Sequence, residues 1–480
     1  MIAHEIIIIL TLLSGGSLLL KALGLKGWPV WPLGFLSGIV LYTTLLYAKS
    51  LTLRMSPTLP LVATLVLPLL FYAWQWYRGR DVKFKLLPAA AALAITAALV
   101  TGFGHANLAR FHSDSLNFML VGSAIGRGDP TSISNYNIEN RLSTVPAVHS
   151  LGHYSGNFYL TSITPLISLA ILATICWVVI EATRGKASRR QLILYCAAPV
   201  LVLASSHAYL FHSFYLNGHL MMGAFMLMAA AAGWLLCQKG NKVSELALVA
   251  IIALGLAGAV FTRVEGLFYA GIILLPIVLH PQPRLMYKRL LIAALGLSIV
   301  LQEGLKIILL RHDHGNVNLK TDYLPLALGV ILLPSAILVG WKFLAKHWQK
   351  LVWLTEIGVW LAMLALFIHK PQTLKNSVIA TYKNINATPV PWGKFFVMLI
   401  ILMGMVLIFR RFKDQAIMRL SITTFLPIAF ILAYLRGAPY RFGQADSLDR
   451  MMISLVPLAV LFITLSIITG QSRFKSIAKK

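Results

Sequence analysis

Long apolar runs separated by polar segments repeat along the whole chain. About fifteen of these runs reach or approach the length of roughly 18 residues that a helix needs to cross the hydrocarbon of a bilayer. They are centred near residues 13, 40, 67, 95, 170, 200, 225, 254, 272, 300, 332, 360, 402, 428 and 460. This pattern predicts an all-α polytopic membrane protein with about 13–15 transmembrane helices.

The polar segments between the apolar runs alternate in charge. Eight short basic segments hold 26 of the 42 Lys and Arg residues: 21–28, 77–85, 184–190, 238–242, 281–289, 341–350, 410–419 and 473–480. The other segments are longer and hold most of the carboxylates. Because Lys and Arg collect on the cytoplasmic side of a membrane, we expect the acidic segments to face outward, with the N-terminus outside and the C-terminus inside.

Composition agrees with a membrane protein, since 58% of the residues are hydrophobic and only 12% are charged. The net charge of +27 is typical of nucleic-acid binding only when the cations form one contiguous patch, and here they lie in short clusters. We therefore expect no nucleic-acid partner. Cys176, Cys196 and Cys237 lie inside apolar runs, which favours small hydrophobic side chains over a disulfide or zinc framework.

The longest polar interruption is the segment 105–158, which the charge pattern places outside. Within it, Asp114 precedes an apolar-rich stretch whose Leu116, Leu120 and Ala124 are predicted to share one helix face, and glycines end that stretch. The pattern predicts short amphipathic helices at the membrane surface. Asp114 is interpreted either as the N-cap of the first helix or as a catalytic carboxylate, and the two roles are compatible.

Three motifs on the outward side resemble those of the GT-C superfamily of membrane glycosyltransferases. They are Asp114-Ser115 followed by Phe118 and a Gly-Asp-Pro turn, Thr262-Arg263-Val264-Glu265-Gly266-Leu267, and Asp449-Arg450 ahead of Pro457 in the last apolar run. The family pattern usually has an Asp-Glu pair at the first motif, where this chain has Ser115. The resemblance reaches from about residue 86 to residue 469.

The resemblance implies a GT-C-like core at 86–310, flanked by N-terminal transmembrane helices at 1–85 and C-terminal transmembrane helices at 311–480, without a soluble domain. It also implies a sugar donor linked to polyprenyl phosphate. Asp114 would accept the proton of the acceptor hydroxyl while that oxygen attacks the anomeric carbon, with inversion. The first three apolar runs lie outside the resemblance.

Arg263 and Arg450 each stand near a predicted helix start, where a cation opposes the helix dipole. An anionic partner is therefore expected, either the phosphate of a lipid donor or an ordinary headgroup or nearby carboxylate. Residues two apart on a helix do not face each other, so we expect Glu265 to close a capping box with Thr262 rather than to pair with Arg263.

Four further residues complete the predicted substrate-binding set: Arg441, Glu265, Asp129 and His219. His212 and His219 are one heptad apart and are predicted to share a helix face, where a polar interface between spans is an alternative to substrate contact. His112 and Asp114 could contribute to a metal site, but two ligands fall short of a specific metal signature. We expect no cofactor and no obligatory divalent metal.

The predicted function is transfer of a sugar from a polyprenyl-phosphate donor to a lipid or glycan acceptor. The predicted location is a bacterial inner membrane, with membrane lipids around the spans and the site facing the periplasm. One alternative is a transporter or flippase of a lipid-linked saccharide, which predicts an internal repeat or broken helices. Another is a glycan polymerase or ligase of different fold, which a long external loop late in the chain would favour.

Overall fold

A computed structural model describes residues 2–53, 55–79, 86–129, 132–314, 324–386, 392–409, 415–435, 439–442 and 447–477. Within these ranges the chain is helical and contains no β-strand, apart from one isolated bridge between Arg110 and Tyr215. The helices are α1 Ile2–Ala22, α2 Val30–Ser50, α3 Thr58–Tyr77, α4 Leu86–Ala106, α5 Ser113–Arg127, α6 Asn135–Arg141, α7 Thr144–His149, α8 Ile163–Thr183, α9 Arg189–Ala204, α10 His207–Phe214, α11 Gly218–Leu236, α12 Glu245–Thr262, α13 Val264–Leu279, α14 Leu285–His314, α15 Leu324–Val339, α16 Trp341–Leu344, α17 Trp348–His369, α18 Pro371–Asn386, α19 Gly393–Phe409, α20 Ala416–Thr423, α21 Phe425–Leu435 and α22 Ser447–Ile477.

The chain is a polytopic α-helical membrane protein, as the apolar pattern predicts. In the described ranges, 11 helices are long and apolar enough to cross a membrane, or 12 when α9 and α10, bent by 77° at a short break, count as one span. Three shorter apolar helices, Val264–Leu279, Leu328–Val339 and Gly393–Val406, coincide with three more predicted runs. The 12 spans and these three shorter helices together correspond to the fifteen apolar runs in the sequence.

Helix α11 lies at the centre of the bundle, and all of its residues are buried. It packs against α12, α22, α8 and α13. A Cβ added at Gly223 would lie 2.8 Å from Ser454 Cα on α22, and one at Gly255 of α12 would lie 2.8 Å from the Ala229 backbone nitrogen. Small residues therefore allow the helix backbones to approach closely, which is the usual basis of packing between membrane helices.

Helices α3, α4 and α17 lie at the periphery and present large apolar side chains outward, including Leu59, Leu70, Ile95 and Leu361. Water would disfavour such a surface, whereas lipid chains match it. Helix α2 packs on α7, α8, α12 and α14, so the first helices join the same bundle as the predicted core.

Glu5 of α1 fixes one end of α8 from outside that helix. Its side chain is 3% exposed and accepts the backbone N–H of Ser162 at 2.7 Å and the hydroxyl of Thr161 at 3.2 Å. A carboxylate at a helix N-terminus satisfies an unpaired N–H group and complements the helix dipole. A single buried acid therefore ties α1 to the start of α8, just after the segment 105–158.

The segment 105–158 folds into α5, α6, α7 and a 3-10 turn at Ser150–Ser155. The prediction of one shared face for Leu116, Leu120 and Ala124 is wrong, because Ala124 is buried while the two leucines are 54% and 63% exposed. Eight residues turn a helix about 80° beyond a whole number of turns, enough to move a side chain off the face. Phe118 and Ile125 instead belong to the buried stripe.

Candidate functional site

Asp114 lies in the first turn of α5, one position after the helix begins at Ser113. The N-cap is His112, so the prediction that Asp114 is the N-cap is wrong: the helix starts one residue earlier than expected. The His112 N–H donates to Ser115 Oγ at 3.2 Å, and the Ser115 hydroxyl donates to the Leu216 carbonyl at 2.8 Å. These bonds leave the carboxylate of Asp114 available for other partners.

A short backbone pairing anchors the start of α5 to the segment between α10 and α11. The Arg110 N–H donates to the Phe214 carbonyl at 2.7 Å, and the Leu216 N–H donates to the Arg110 carbonyl at 3.1 Å. Tyr215, at the centre of this pairing, is 2% exposed. The pairing brings its hydroxyl into the same site as Asp114.

Two arginines from distant parts of the chain bind the Asp114 carboxylate. Arg141 Nη2 at the end of α6 lies 2.6 Å from Oδ1, and Arg450 Nη1 in the first turn of α22 lies 2.8 Å from Oδ2. The same Arg450 nitrogen donates to the Tyr215 hydroxyl at 3.1 Å. The three charged side chains are only 11–20% exposed. We call Asp114, Arg141, Arg450 and Tyr215 the carboxylate cluster.

The pKa of Asp114 is the balance of opposing effects. Burial raises the pKa of a carboxyl, but the charges of Arg141 and Arg450, a hydrogen bond from Arg450 and the charge of Arg263 lower it, and the net shift is downward from the usual value. Asp114 is therefore a carboxylate at neutral pH. Because the charge of Arg263 contributes to lowering the pKa of Asp114, Arg263 lies within electrostatic range of the cluster.

Arg263 occupies the break between α12 and α13, with extended backbone angles (φ −158°, ψ 154°). Its guanidinium binds Glu265, with Nε 3.1 Å from Oε2 and Nη2 3.2 Å from Oε1. The expectation that these two residues would not pair is wrong, because Arg263 is the N-cap of α13 and not part of a helix. The predicted capping box is also wrong: Thr262 ends α12, and its hydroxyl donates to the Gly258 carbonyl at 2.6 Å.

The cluster and the Arg263–Glu265 pair together carry three guanidinium groups and two carboxylates, which leaves one excess positive charge. Guanidinium groups match phosphate oxygens in geometry as well as in charge. The arrangement can therefore hold an anionic group beside a carboxylate that is already ionised. The side chain of Asp449, which belongs to the third motif, lies outside the described residues, as does Pro130 of the Gly-Asp-Pro turn.

His219 is fully buried in the first turn of α11, and its carbonyl accepts the Ser454 hydroxyl at 2.8 Å. Ser454 follows Arg450 by one helical turn, so this bond sets α11 against the start of α22. The prediction that His212 and His219 share a helix face is wrong, because α10 ends at Phe214 and α11 begins at Gly218. Both histidines are nonetheless buried.

Asp129 and Arg441 lie apart from the contacts of the carboxylate cluster. Asp129 follows the far end of α5, and from Asp114 to that end the helix rises about 20 Å. The Asp129 carbonyl accepts the Ser132 hydroxyl at 2.9 Å. Arg441 is exposed, and its carbonyl accepts a bond from the Asn384 side chain at 2.8 Å. A ligand at Asp114 would have to be extended to reach Asp129.

The described residues include no group of three or more His, Cys, Asp or Glu side chains arranged to hold a metal ion. His112 and Asp114 are therefore not joined by a third such ligand within the described part of the chain. The side chains that donate to Asp114 are the guanidinium groups of Arg141 and Arg450, which suit an anion and not a cation.

Sequence reasoning missed two members of the carboxylate cluster, Arg141 and Tyr215. For Arg141 the charge pattern did contain a signal. An arginine in a segment that this pattern predicts to face outward departs from the preference of cations for the cytoplasmic side, so a specific partner is expected. Tyr215 carries no comparable signal, because aromatic residues are common at membrane interfaces.

Comparisons of the chain with known protein families, with curated proteins and with solved structures found no match.

Proposed function

We propose that this chain is an integral membrane glycosyltransferase that transfers a sugar from a polyprenyl-phosphate donor to a lipid or glycan acceptor. One observation carries the proposal: Asp114 on α5 is bound by Arg141 on α6 and by Arg450 at the start of the spanning helix α22, with Arg263, which follows the spanning helix α12, within electrostatic range. Cations next to a carboxylate at this position match a reaction in which phosphate leaves and a hydroxyl proton is taken up. The proposed setting is the outer face of a bacterial inner membrane, in modification of cell-envelope glycan or glycolipid.

In the proposed reaction the acceptor oxygen forms a bond to the anomeric carbon while the bond from that carbon to the phosphate oxygen breaks. The bonding electrons leave with the phosphate, and the acceptor proton moves to the Asp114 carboxylate. Attack opposite the leaving group inverts the anomeric carbon. No cofactor takes part in this proposal.

Arg450 and Arg263 are proposed to bind the departing polyprenyl phosphate. Charge on the bridging oxygen grows as the bond breaks, so fixed guanidinium groups stabilise the transition state more than the ground state. Arg141 is proposed as a positioning residue that holds Asp114 towards the acceptor. Because the pKa of Asp114 is low, the carboxylate takes the proton late, when the acceptor oxygen has become acidic through bond formation.

The test is incubation of purified protein in detergent with polyprenyl phosphates carrying different sugars and with an envelope lipid extract as acceptor. Release of free polyprenyl phosphate is the readout. We expect Asp114→Asn to lower the rate at least about a hundredfold. Glu139→Gln, which alters another carboxylate of the same outward segment, is the matched control and should keep full activity. If Asp114→Asn is folded and turns over at the wild-type rate, Asp114 is not the proton acceptor.

A second candidate function is transport of a lipid-linked saccharide, and the break between α9 and α10 favours it. Helices that are interrupted within the membrane commonly line transport sites, and this pair bends by 77°. Reconstitution in liposomes separates the two functions. A transporter would move the intact lipid between leaflets, whereas the proposed transferase would release polyprenyl phosphate only in the presence of acceptor.

A further inference from the structure

Unpaired buried polar atoms are concentrated next to the carboxylate cluster. Among the described residues, ten side chains have a buried nitrogen or oxygen without a hydrogen-bond partner, and six of them belong to one region. These six are Asn137, Arg141, Ser143, Thr144, His219 and Gln302. We call them the polar pocket residues. Such atoms are rare in folded proteins because each one destabilises the fold, so seven of them on six neighbouring side chains need an explanation.

Contacts between their neighbours show that the six side chains come from surfaces that meet. Asn137 and Arg141 are one helical turn apart on α6. The Gln302 amide nitrogen on α14 donates to the Leu142 carbonyl at 2.9 Å. At the start of α11, a Cβ added at Gly218 would lie 3.4 Å from Val145 Cγ2. The link from α6 to α7, the start of α11 and the middle of α14 therefore surround the same polar region.

Burial excludes ordinary solvation of these groups. Thr144 and His219 are 0% exposed, and Ser143 and Gln302 are each 4% exposed. Both ring nitrogens of His219 lack a partner within the described ranges. A ligand whose polar groups hydrogen-bond to these atoms would therefore gain affinity from each of them.

The chemistry of the unpaired atoms identifies the kind of group. The Gln302 nitrogen is already used, so its free atom is the carbonyl oxygen, which can only accept, whereas Arg141 Nε can only donate. An ionised phosphate has no hydrogen to donate and cannot satisfy Gln302. Hydroxyl groups donate and accept, so a ligand with several hydroxyls satisfies the whole set.

Arg141 joins this region to the carboxylate cluster. Its Nη2 binds Asp114 at 2.6 Å, while its Nε is one of the unpaired atoms. We infer that the polar pocket residues bind the hydroxyl groups of the transferred sugar, beside the cations that bind the phosphate; this inference rests on the proposed function. The sugar would then lie against Asp114 with its phosphate towards Arg263 and Arg450.

The experiment compares binding of two probes to the detergent-purified protein: polyprenyl phosphate, and polyprenyl phosphate carrying glucose, mannose, galactose or aminoarabinose. We expect one of the sugar-bearing lipids to bind more tightly than the bare lipid. Thr144→Val and Gln302→Leu should each weaken the binding of that sugar-bearing lipid about tenfold, or 1.4 kcal/mol, and leave the affinity for the bare lipid unchanged. Gln75→Leu on α3 is the matched control, since Gln75 also has a buried unpaired oxygen but lies outside the pocket.

Melting of the unliganded variants is the second readout and guards against misfolding. Thr144→Val should raise the melting temperature without ligand, because it replaces an unpaired buried hydroxyl with an apolar group. Gln302→Leu also removes the bond to the Leu142 carbonyl, so its melting transition serves only to show that the variant is folded. Unchanged affinity for the sugar-bearing lipid in both variants, or equal loss for both lipids, would overturn the sugar site. If sugar adds no affinity to the bare lipid, the sugar site is wrong while the phosphate site stands. If neither lipid binds, the proposed function fails as well.

Discussion

The pair formed by Asp114 and Arg450 should be energetically coupled to a degree set by its burial. The perturbation is a double-mutant cycle of Asp114→Ala, Arg450→Ala and both together. The charged atoms are 2.8 Å apart. At that distance the attraction is about 6 kcal/mol for an effective dielectric constant of 20 and about 1.5 kcal/mol in water. Desolvation of two charges that are 11% and 20% exposed removes part of it, and we expect a coupling of about 2–3 kcal/mol.

The pair of Arg284 and Glu245 is a control with similar geometry and more exposure. Its atoms are 3.3 Å apart, and the two side chains, just before α14 and at the start of α12, are 72% and 50% exposed. We expect its coupling to be below about 1 kcal/mol, because water screens exposed pairs. The longer distance lowers the attraction by only about 15%, so the difference between the two cycles reports mainly the effect of burial.

The assay is equilibrium unfolding of the detergent-purified variants by SDS at neutral pH. The low pKa of Asp114 means that its contribution is complete above its unfolded pKa of about 3.9 and is lost as pH falls through the lower folded pKa. The coupling should therefore be constant from pH 7 to about pH 5. Additive single-variant effects, or a coupling no larger than that of the control pair, would refute the argument that burial strengthens the cluster.

Three other predictions concern parts of the fold that position the site. Glu5→Leu should lower the free energy of unfolding by about 2 kcal/mol in SDS titrations, because it removes the acceptor of the bonds at the start of α8. Gly266→Ala should cost about 2 kcal/mol or more in the same assay, since the added Cβ would clash with the Ala259 carbonyl oxygen. Gly358→Ala, with nothing within 4 Å of the added Cβ, should be neutral or stabilising. Burial lowers the pKa of His149 to about 3, so between pH 6.5 and pH 3 the unfolded chain binds a proton that the folded chain does not. The free energy of unfolding should therefore fall as pH drops from 6.5 towards 3. His149→Asn should flatten that pH dependence, and an unchanged profile would contradict the assignment to His149.

The second motif shows why site geometry was only partly predictable. The sequence indicates a cation with an unusual position at Arg263, and the structure places it within electrostatic range of Asp114. The partner of Arg263 was predicted wrongly, because hydropathy does not reveal that one helix ends at Thr262 and another begins at Val264. A single extended residue at that junction changes which side chains can meet.

The sequence by itself determined that the chain is helical and crosses the membrane many times. Hydrocarbon excludes unpaired backbone groups, so an apolar run of sufficient length has few alternatives to a helix. The sequence also singled out Asp114, Arg263 and Arg450 by the chemistry of charge near lipid. Only the tertiary structure decided that Arg141 and Tyr215 join Asp114 and Arg450. Their contacts span up to 336 positions of sequence, and no local periodicity encodes which distant helix ends pack together.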